Sequence, residues 1–222
     1  MTSKNLAKKT IALLHPGEMG AAIGAGLVSR GHRVVWASAG RGASTRKRAA
    51  DCGLEDAATL AHAAQAADIV FSVCPPHAAM EVARAVAACG FGGVYIDANA
   101  VSPETTRALG RVVEAAGASY VDAGIIGPPP IPGASVRLYL CGSRAGEIAP
   151  LFEGHIMQAI TLEGAVGAAS ALKVSMPPGT RARRLCSPAY ARSPRRKASM
   201  RRCSRNGKSR CPTYRSARSG SP

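Results

Sequence analysis

An α/β fold with a doubly wound, mostly parallel sheet is predicted for residues 1–163 of this 222-residue chain. Three observations predict it. Short apolar runs alternate with Ala-rich stretches of helical length, the pattern of a parallel sheet, in which every strand pair needs a crossover. A tight glycine turn, His15-Pro16-Gly17-Glu18-Met19-Gly20, joins the first apolar run to the first Ala-rich stretch. Aromatic residues make up only 4% of the chain, so the core must be built from Ala, Val, Ile and Leu, which suits helices packed closely on a sheet.

The elements follow in order. Thr10–Leu14 reads as a strand, and the Ala-rich helix after the glycine turn runs to Arg30, where Gly31 takes a C-cap position. Residues 33–37 form the next strand. Residues 57–67 are helical, 68–73 form a buried strand, and Pro75-Pro76 breaks the chain. A helix over 77–89 places Val82 and Val86 four apart, on one face. After the strand Val94–Asp97, Ser102-Pro103-Glu104 starts a helix with a capping hydroxyl and a proline at the first helical position. Tyr120-Val121 lies in a further strand, Val136–Cys141 forms another, and 144–152 is a helix. The last helix starts near Glu163, and residues 164–175 read as the beginning of an interdomain helix.

At Met176-Pro177-Pro178-Gly179 the composition changes. Residues 176–222 hold six prolines, 14 of the 29 Lys and Arg, none of the 13 Asp and Glu, and only Leu185 from the Leu/Ile/Val/Phe set. Such a segment cannot offset its chain entropy by burial, so a disordered basic tail is expected. The abrupt loss of acids and aliphatics reads as a shifted reading frame in a GC-rich gene. The net charge of +16 belongs to this tail, because residues 1–175 hold 15 basic and 13 acidic residues. Nucleic acid is therefore not an expected partner of the α/β unit. A competing reading is a binding module whose tail grips nucleic acid while the α/β unit senses redox state. A shift assay at two salt concentrations separates the two, since attraction of this kind falls steeply with salt.

No apolar run nears the ~18 residues of a membrane span. The run Ile11 to Leu14 is also too short for the apolar region of a signal peptide. A cytoplasmic location and no membrane partner are the expectation. The seven cysteines include no CxxC pair, so no metal site is expected. Cys52, Cys74, Cys89 and Cys141 read as small, mostly buried hydrophobes.

The glycine turn carries the chemistry. A dinucleotide fingerprint, G-x-G-x-x-G between strand and helix, is matched here by His15, Gly17 and Gly20, with the first glycine replaced. Gly17 lets the backbone approach a pyrophosphate, Gly20 lets the helix pack on the strand, and free N–H groups at the helix start form an anion site. Pro16 has no N–H, which leaves Gly17, Glu18 and Met19 as expected donors. A purely structural turn is the plain alternative; the strand–turn–helix–strand context favours phosphate.

The end of the second strand separates the cofactors. NAD sites usually have an acid there, and NADP sites an arginine. Residues 37–48 contain no acid but Arg41, Arg46, Lys47 and Arg48, so NADP is predicted over NAD, with Ser38, Arg41 and Arg46 as contacts. A solvated basic loop is the competing reading. Cys74-Pro75 and Asn99 close two strands at the carboxyl edge, where ligands of open sheets sit. Asn99 either donates to a substrate carboxylate or the nicotinamide, or caps the following helix. Ile126 and Gly127 stand before Pro128-Pro129-Pro130 in a rigid turn, as candidate substrate contacts at the rim. Lys173 can act as general acid toward a carbonyl being reduced; without context, a helix lysine is surface decoration.

Taken together, HPGEMGAAIGAGL (15–27), DIVFSVCPP (68–76), YIDANAVSPETTR (95–107), YVDAGIIGPPP (120–130), LYLCGS (138–143) and GAASALK (167–173) resemble the β-hydroxyacid dehydrogenase and 6-phosphogluconate dehydrogenase superfamily. The resemblance implies a Rossmann-type NAD(P)-binding domain and hydride transfer between NAD(P) and a small hydroxy acid. It implies that Gly17, Glu18, Met19 and Gly20 cradle the pyrophosphate, that Cys74-Pro75 and Asn99 line the nicotinamide side, and that Lys173 matches the catalytic lysine. Three departures stand out. His15 replaces the first glycine, residues 125–128 replace a Ser-Gly-Gly substrate clamp, and Pro177 replaces an Asn that assists the lysine. Members of the superfamily continue into a helical domain that completes the substrate site and a homodimer. Its loss here leads to the expectation of a truncated homologue that binds NADP but turns over poorly.

Overall fold

Strand β1 (Thr10–Leu14) is buried on both faces, as its unbroken apolar run requires, and helices cover the sheet on each side. The computed structural model describes residues 7–175, so the reading of 176–222 as a disordered tail lies outside the described residues. Within them the strands are β1, β2 (Arg33–Trp36), β3 (Glu55–Asp56), β4 (Ile69–Ser72), β5 (Val94–Asp97), β6 (Ser119–Ile126), β7 (Val136–Cys141) and β8 (Met157–Thr161). They form one sheet in the order β3-β2-β1-β4-β5-β6-β7-β8, parallel except where β7 runs antiparallel to β6. The expected doubly wound, mostly parallel α/β fold is therefore present. The strand order reverses between β1 and β4, and such a switch point opens a crevice at the carboxyl ends of the strands.

The helices are α1 (Glu18–Ser29), α2 (Ala43–Asp51), α3 (Leu60–Ala66), α4 (Ala79–Ala88), α5 (Pro103–Ala115), α6 (Ala145–Ile148) and α7 (Ala168–Ser175). One core layer joins Leu13, Phe71, Ile96, Val121 and Leu138 of the sheet to Ile23 and Leu27 of α1. The other joins Val70, Tyr95 and Tyr120 to Ala83 and Val86 of α4 and to Leu109 and Val113 of α5. Tyr95 and Tyr120 are register partners and stack with ring centroids 6.1 Å apart.

Several elements depart from the sequence reading. The segment 43–51, whose charges suggest a loop, is helical, and β3 and β8 pair at the two sheet edges. The helix expected over 77–89 starts with a 3₁₀ turn, Pro76–Ala78, and the one over 144–152 is a short α-helix followed by the 3₁₀ turn Ala149–Phe152. Helix α7 begins at Ala168 rather than near Glu163, because Gly164 and Gly167 take φ values of 135° and 108°, outside helical space.

The start of α7 is set from the sheet. Asp122 of β6 is fully buried, and its carboxylate accepts the N–H groups of Gly167 (2.9 Å), Ala169 (3.0 Å) and Ser170 (3.2 Å) and the Ser170 hydroxyl (2.7 Å). Thr106 of α5 bonds the same hydroxyl at 2.7 Å. Gly124 lets the helix come close: a Cβ there would lie 2.7 Å from the Ala169 carbonyl oxygen. Asp122→Ala is expected to cost about 2–4 kcal/mol, because buried donors lose a charged acceptor. Chemical denaturation checks this, together with faster amide exchange at Gly167, Ala169 and Ser170.

Candidate functional site

The β1–α1 turn presents the two glycines differently. A Cβ on Gly17 would meet nothing within 4 Å, so the backbone there faces open space. A Cβ on Gly20 would lie 2.7 Å from the His15 carbonyl oxygen, so this glycine is required by close packing of helix on strand. No side chain caps the N-terminus of α1, and helix geometry leaves the N–H groups of Glu18, Met19 and Gly20 outside the intrahelical ladder. The Gly17 N–H, an expected donor, instead donates to the His15 carbonyl at 2.7 Å. An open cradle over an uncapped helix start fits a pyrophosphate. Pro16 is buried in the turn, and its carbonyl accepts from Arg48 at 3.4 Å.

His15 occupies the place of the missing glycine with φ of 65°, in left-handed space. Its Nε2 lies 2.7 Å from an Arg41 guanidinium nitrogen, while its Nδ1 is buried with no partner. Burial, then the Arg41 charge, pushes its pKa down to about 4. Arg46 donates to the carbonyls of Arg41 (3.1 Å) and Ser38 (3.2 Å) and so braces the β2–α2 loop. Ser38 is buried and faces Asp56 of β3, an acid that sequence reading missed near this loop. A two-residue strand carries no periodicity, so nothing local announces where Asp56 will lie.

Cys74 and Asn99 meet at the carboxyl edge, as expected from their strand-end positions. Asn99 is 2% exposed, and its amide is fully engaged: Oδ1 accepts the Cys74 N–H at 2.6 Å, and Nδ2 donates to Ser72 Oγ at 3.1 Å and to the Asp97 carboxylate. It ties β4 to β5. The helix cap is Ser102, whose hydroxyl accepts the Thr105 N–H at 3.1 Å. Asp97 also accepts the Tyr120 hydroxyl at 3.0 Å. Pro75 is exposed beside this network. Burial raises the Cys74 thiol above its ordinary range and holds it as a thiol, which is not how nucleophilic cysteines are arranged. Neither Asp97 nor Tyr120 stood out in the sequence; only register aligns Ser72, Asp97 and Asp122 across three strands.

Lys173 reaches this edge from α7, and its Nζ donates to the Ala98 carbonyl at 3.2 Å. The half-buried Ile126 ends β6, and Gly127 follows with φ of 135°. A Cβ on Gly127 would press within 2.7 Å of the Ser135 carbonyl, which makes it a requirement of the β6–β7 connection. Among the described residues, no group of three or more His, Cys, Asp or Glu could hold a metal ion. Nor is any helix there long and apolar enough to cross a membrane. The four described cysteines are unpaired; Cys74 and Cys141 are buried, Cys52 and Cys89 half-buried.

A switch-point crevice faced by an open glycine turn and an uncapped helix defines a dinucleotide-binding protein. The chain belongs to the family of the NAD-binding domain of 6-phosphogluconate dehydrogenase, whose pattern matches residues 10–137. Among solved structures it is similar to a conserved protein of unknown function described as structurally similar to 3-hydroxyacid dehydrogenases. The two share 29% identity at a TM-score of 0.67, over 74% of this chain and 61% of that one. It is also similar to 3-hydroxyisobutyrate dehydrogenase of Mycobacterium tuberculosis, solved with L-serine (26% identity, TM-score 0.67, 75% of this chain and 58% of that one). A reductive aminase from Aspergillus terreus, solved with NADPH and ethyl levulinate, shares the fold at 19% identity (TM-score 0.66, 79% and 62%). The chain thus spans about three-fifths of the length of these structures. Comparison with curated proteins gives no match.

The buried network has a pH signature. Burial outweighs the Tyr120 and Asn99 hydrogen bonds and the nearby Lys173 charge, and raises Asp97 from 3.8 to about 6. The folded state therefore binds a proton that the unfolded state releases near pH 4. The stability this proton contributes is present below about pH 4 and is lost as pH rises to about 6. In urea denaturation, the wild-type protein is expected to lose on the order of 2–3 kcal/mol relative to Asp97→Asn between pH 4 and 7. Parallel pH profiles for the two proteins would contradict the assignment.

Proposed function

We propose that this chain binds NADP(H) at the β1–α1 turn and serves hydride exchange with a small hydroxy acid. The observation that carries the reading is the open Gly17 cradle over an uncapped α1, at the carboxyl edge that Lys173 also reaches. Pro16, Gly17, Glu18, Met19 and Gly20 shape the pyrophosphate site, with the α1 amides as donors. Arg41 and Arg46, beside Ser38, take the 2′-phosphate, which favours NADP over NAD. Cys74, Pro75 and Asn99 form the nicotinamide side, where Asn99 acts by fixing the β4 and β5 ends rather than by an open amide. The nicotinamide, when bound, supplies or accepts the hydride. Lys173 gives a proton from Nζ to the oxygen of the oxo acid being reduced, or takes it back in oxidation, from the position in which the Ala98 carbonyl holds it. Ile126 and Gly127 form the rim on the substrate side. Support for a hydroxy-acid substrate comes from family membership and from likeness to a hydroxyacid dehydrogenase, of whose length this chain spans only part.

Binding is the decisive test. NADPH is expected to raise the melting temperature of the full chain more than NADH at equal concentration, as ligands of the folded state do. Arg41→Ala and Arg46→Ala should remove most of that difference. Equal shifts would overturn the NADP assignment, and no shift with either nucleotide would overturn the dinucleotide reading. Gly17→Ala supplies a sharper check. Its added methyl meets no protein atom, so stability should stay within about 0.5 kcal/mol, while affinity for both nucleotides drops at least tenfold because the methyl fills the cradle.

A further inference from the structure

The fingerprint position at residue 15 calls for glycine because the turn needs left-handed backbone there, and His15 sits at φ of 65°. A side chain in that region strains the turn, and strain kept at a ligand site points to a role for the side chain itself. The imidazole has one partner, Arg41, at 2.7 Å. Arginine only donates, so Nε2 must be the bare acceptor and the ring neutral, with its proton on Nδ1. Nδ1 is buried while His15 as a whole is half-buried, and Nε2 is the ring atom that meets the guanidinium.

Arg41 itself is exposed, on a loop flanked by Gly40 at φ of 69° and by Gly42. A long side chain on such a loop samples many rotamers, and that freedom is lost on binding unless something orients it first. Arg46 and Arg48 do not share this arrangement, since they are directed onto backbone carbonyls of Arg41, Ser38 and Pro16. The three arginines are thus held differently. Backbone carbonyls hold Arg46 within its own loop and Arg48 against the β1–α1 turn, whereas a side chain of the phosphate turn holds Arg41.

We propose that His15 is a specificity-determining positioning residue: by holding the Arg41 guanidinium beside the β1–α1 turn, it sets the preference for a 2′-phosphorylated dinucleotide. The proposal rests on the reading above that this turn binds a dinucleotide. Glycine in place of His15 relieves the backbone and releases Arg41 without touching the pyrophosphate cradle. Glutamine keeps an acceptor near the Nε2 position.

The test measures NADPH and NADH dissociation constants by fluorescence titration for the full chain, His15→Gly, His15→Gln, Arg41→Ala and the His15→Gly/Arg41→Ala double variant. His15→Gly is expected to weaken NADPH about tenfold and to leave NADH within about twofold. His15→Gln should keep most of the preference, and the double variant should be no worse than Arg41→Ala alone. If His15→Gly preserves the NADPH-to-NADH ratio, or weakens both nucleotides equally, His15 only shapes the turn and the proposal falls while dinucleotide binding stands. If the unmodified chain binds neither nucleotide, the dinucleotide reading fails and this inference fails with it.

Discussion

A carboxylate buried beneath a helix must be surrounded by donors, and the arrangement around Asp122 follows from that requirement. With almost no water available to it, the group takes three amides and one hydroxyl from the first turn of α7. The helix can therefore begin in only one place. Gly124, one alternation along the same strand, removes the side chain that would hold the helix away. Lys173 then lies one turn beyond the cap and reaches the end of β5. The only lysine on the described part of the edge network is thus aimed by a residue some fifty positions earlier in the chain.

The same edge concentrates polar groups because the strands end in register. Leu14 pairs with Ser72, Ser72 with Asp97, Asp97 with Asp122 and Asp122 with Cys141. A row of short polar side chains across a buried sheet is tolerable only when each member is satisfied. Asn99 supplies that satisfaction at Ser72 and, with Tyr120, at Asp97, and the donors at the start of α7 supply it at Asp122. Two groups near this edge respond to acid in opposite senses. Burial lets Asp97 take up a proton already near pH 6, while burial and Arg41 keep His15 neutral down to about pH 4. Between about pH 4 and 6 the folded state gains a proton at one and excludes a proton from the other. The two contributions to stability oppose each other there.

Much of this was legible in the chain. The strand β1, the glycine turn and α1 are local events governed by apolar length, glycine and helix stops, and the sequence reading of them holds. The short elements were less legible. Residues 43–51 carry charge without an apolar stripe, so the helix there is supported by Ala49 against the core rather than by periodicity. Strands β3 and β8 exist because neighbouring edges offer unpaired backbone groups, and their own residues do not announce them. The start of α7 shifted by several residues because two glycines take non-helical backbone and a distant carboxylate supplies the cap.

The sequence by itself determined the alternation of strands and helices, the doubly wound, mostly parallel class of the sheet and the glycine turn, because each depends on contacts within a few residues or on burial of whole apolar runs. It also carried the basic character of the β2–α2 loop and placed Cys74, Asn99 and Lys173 at the ends of elements. Only the tertiary structure decided what these residues touch. It joined His15 to Arg41 across 26 positions, enclosed Asn99 in a network instead of leaving its amide open, brought Asp56 to Ser38, and set Asp122 under α7. Those pairings depend on strand register and helix approach, which are set by long-range packing and by the need of every buried polar group for a partner.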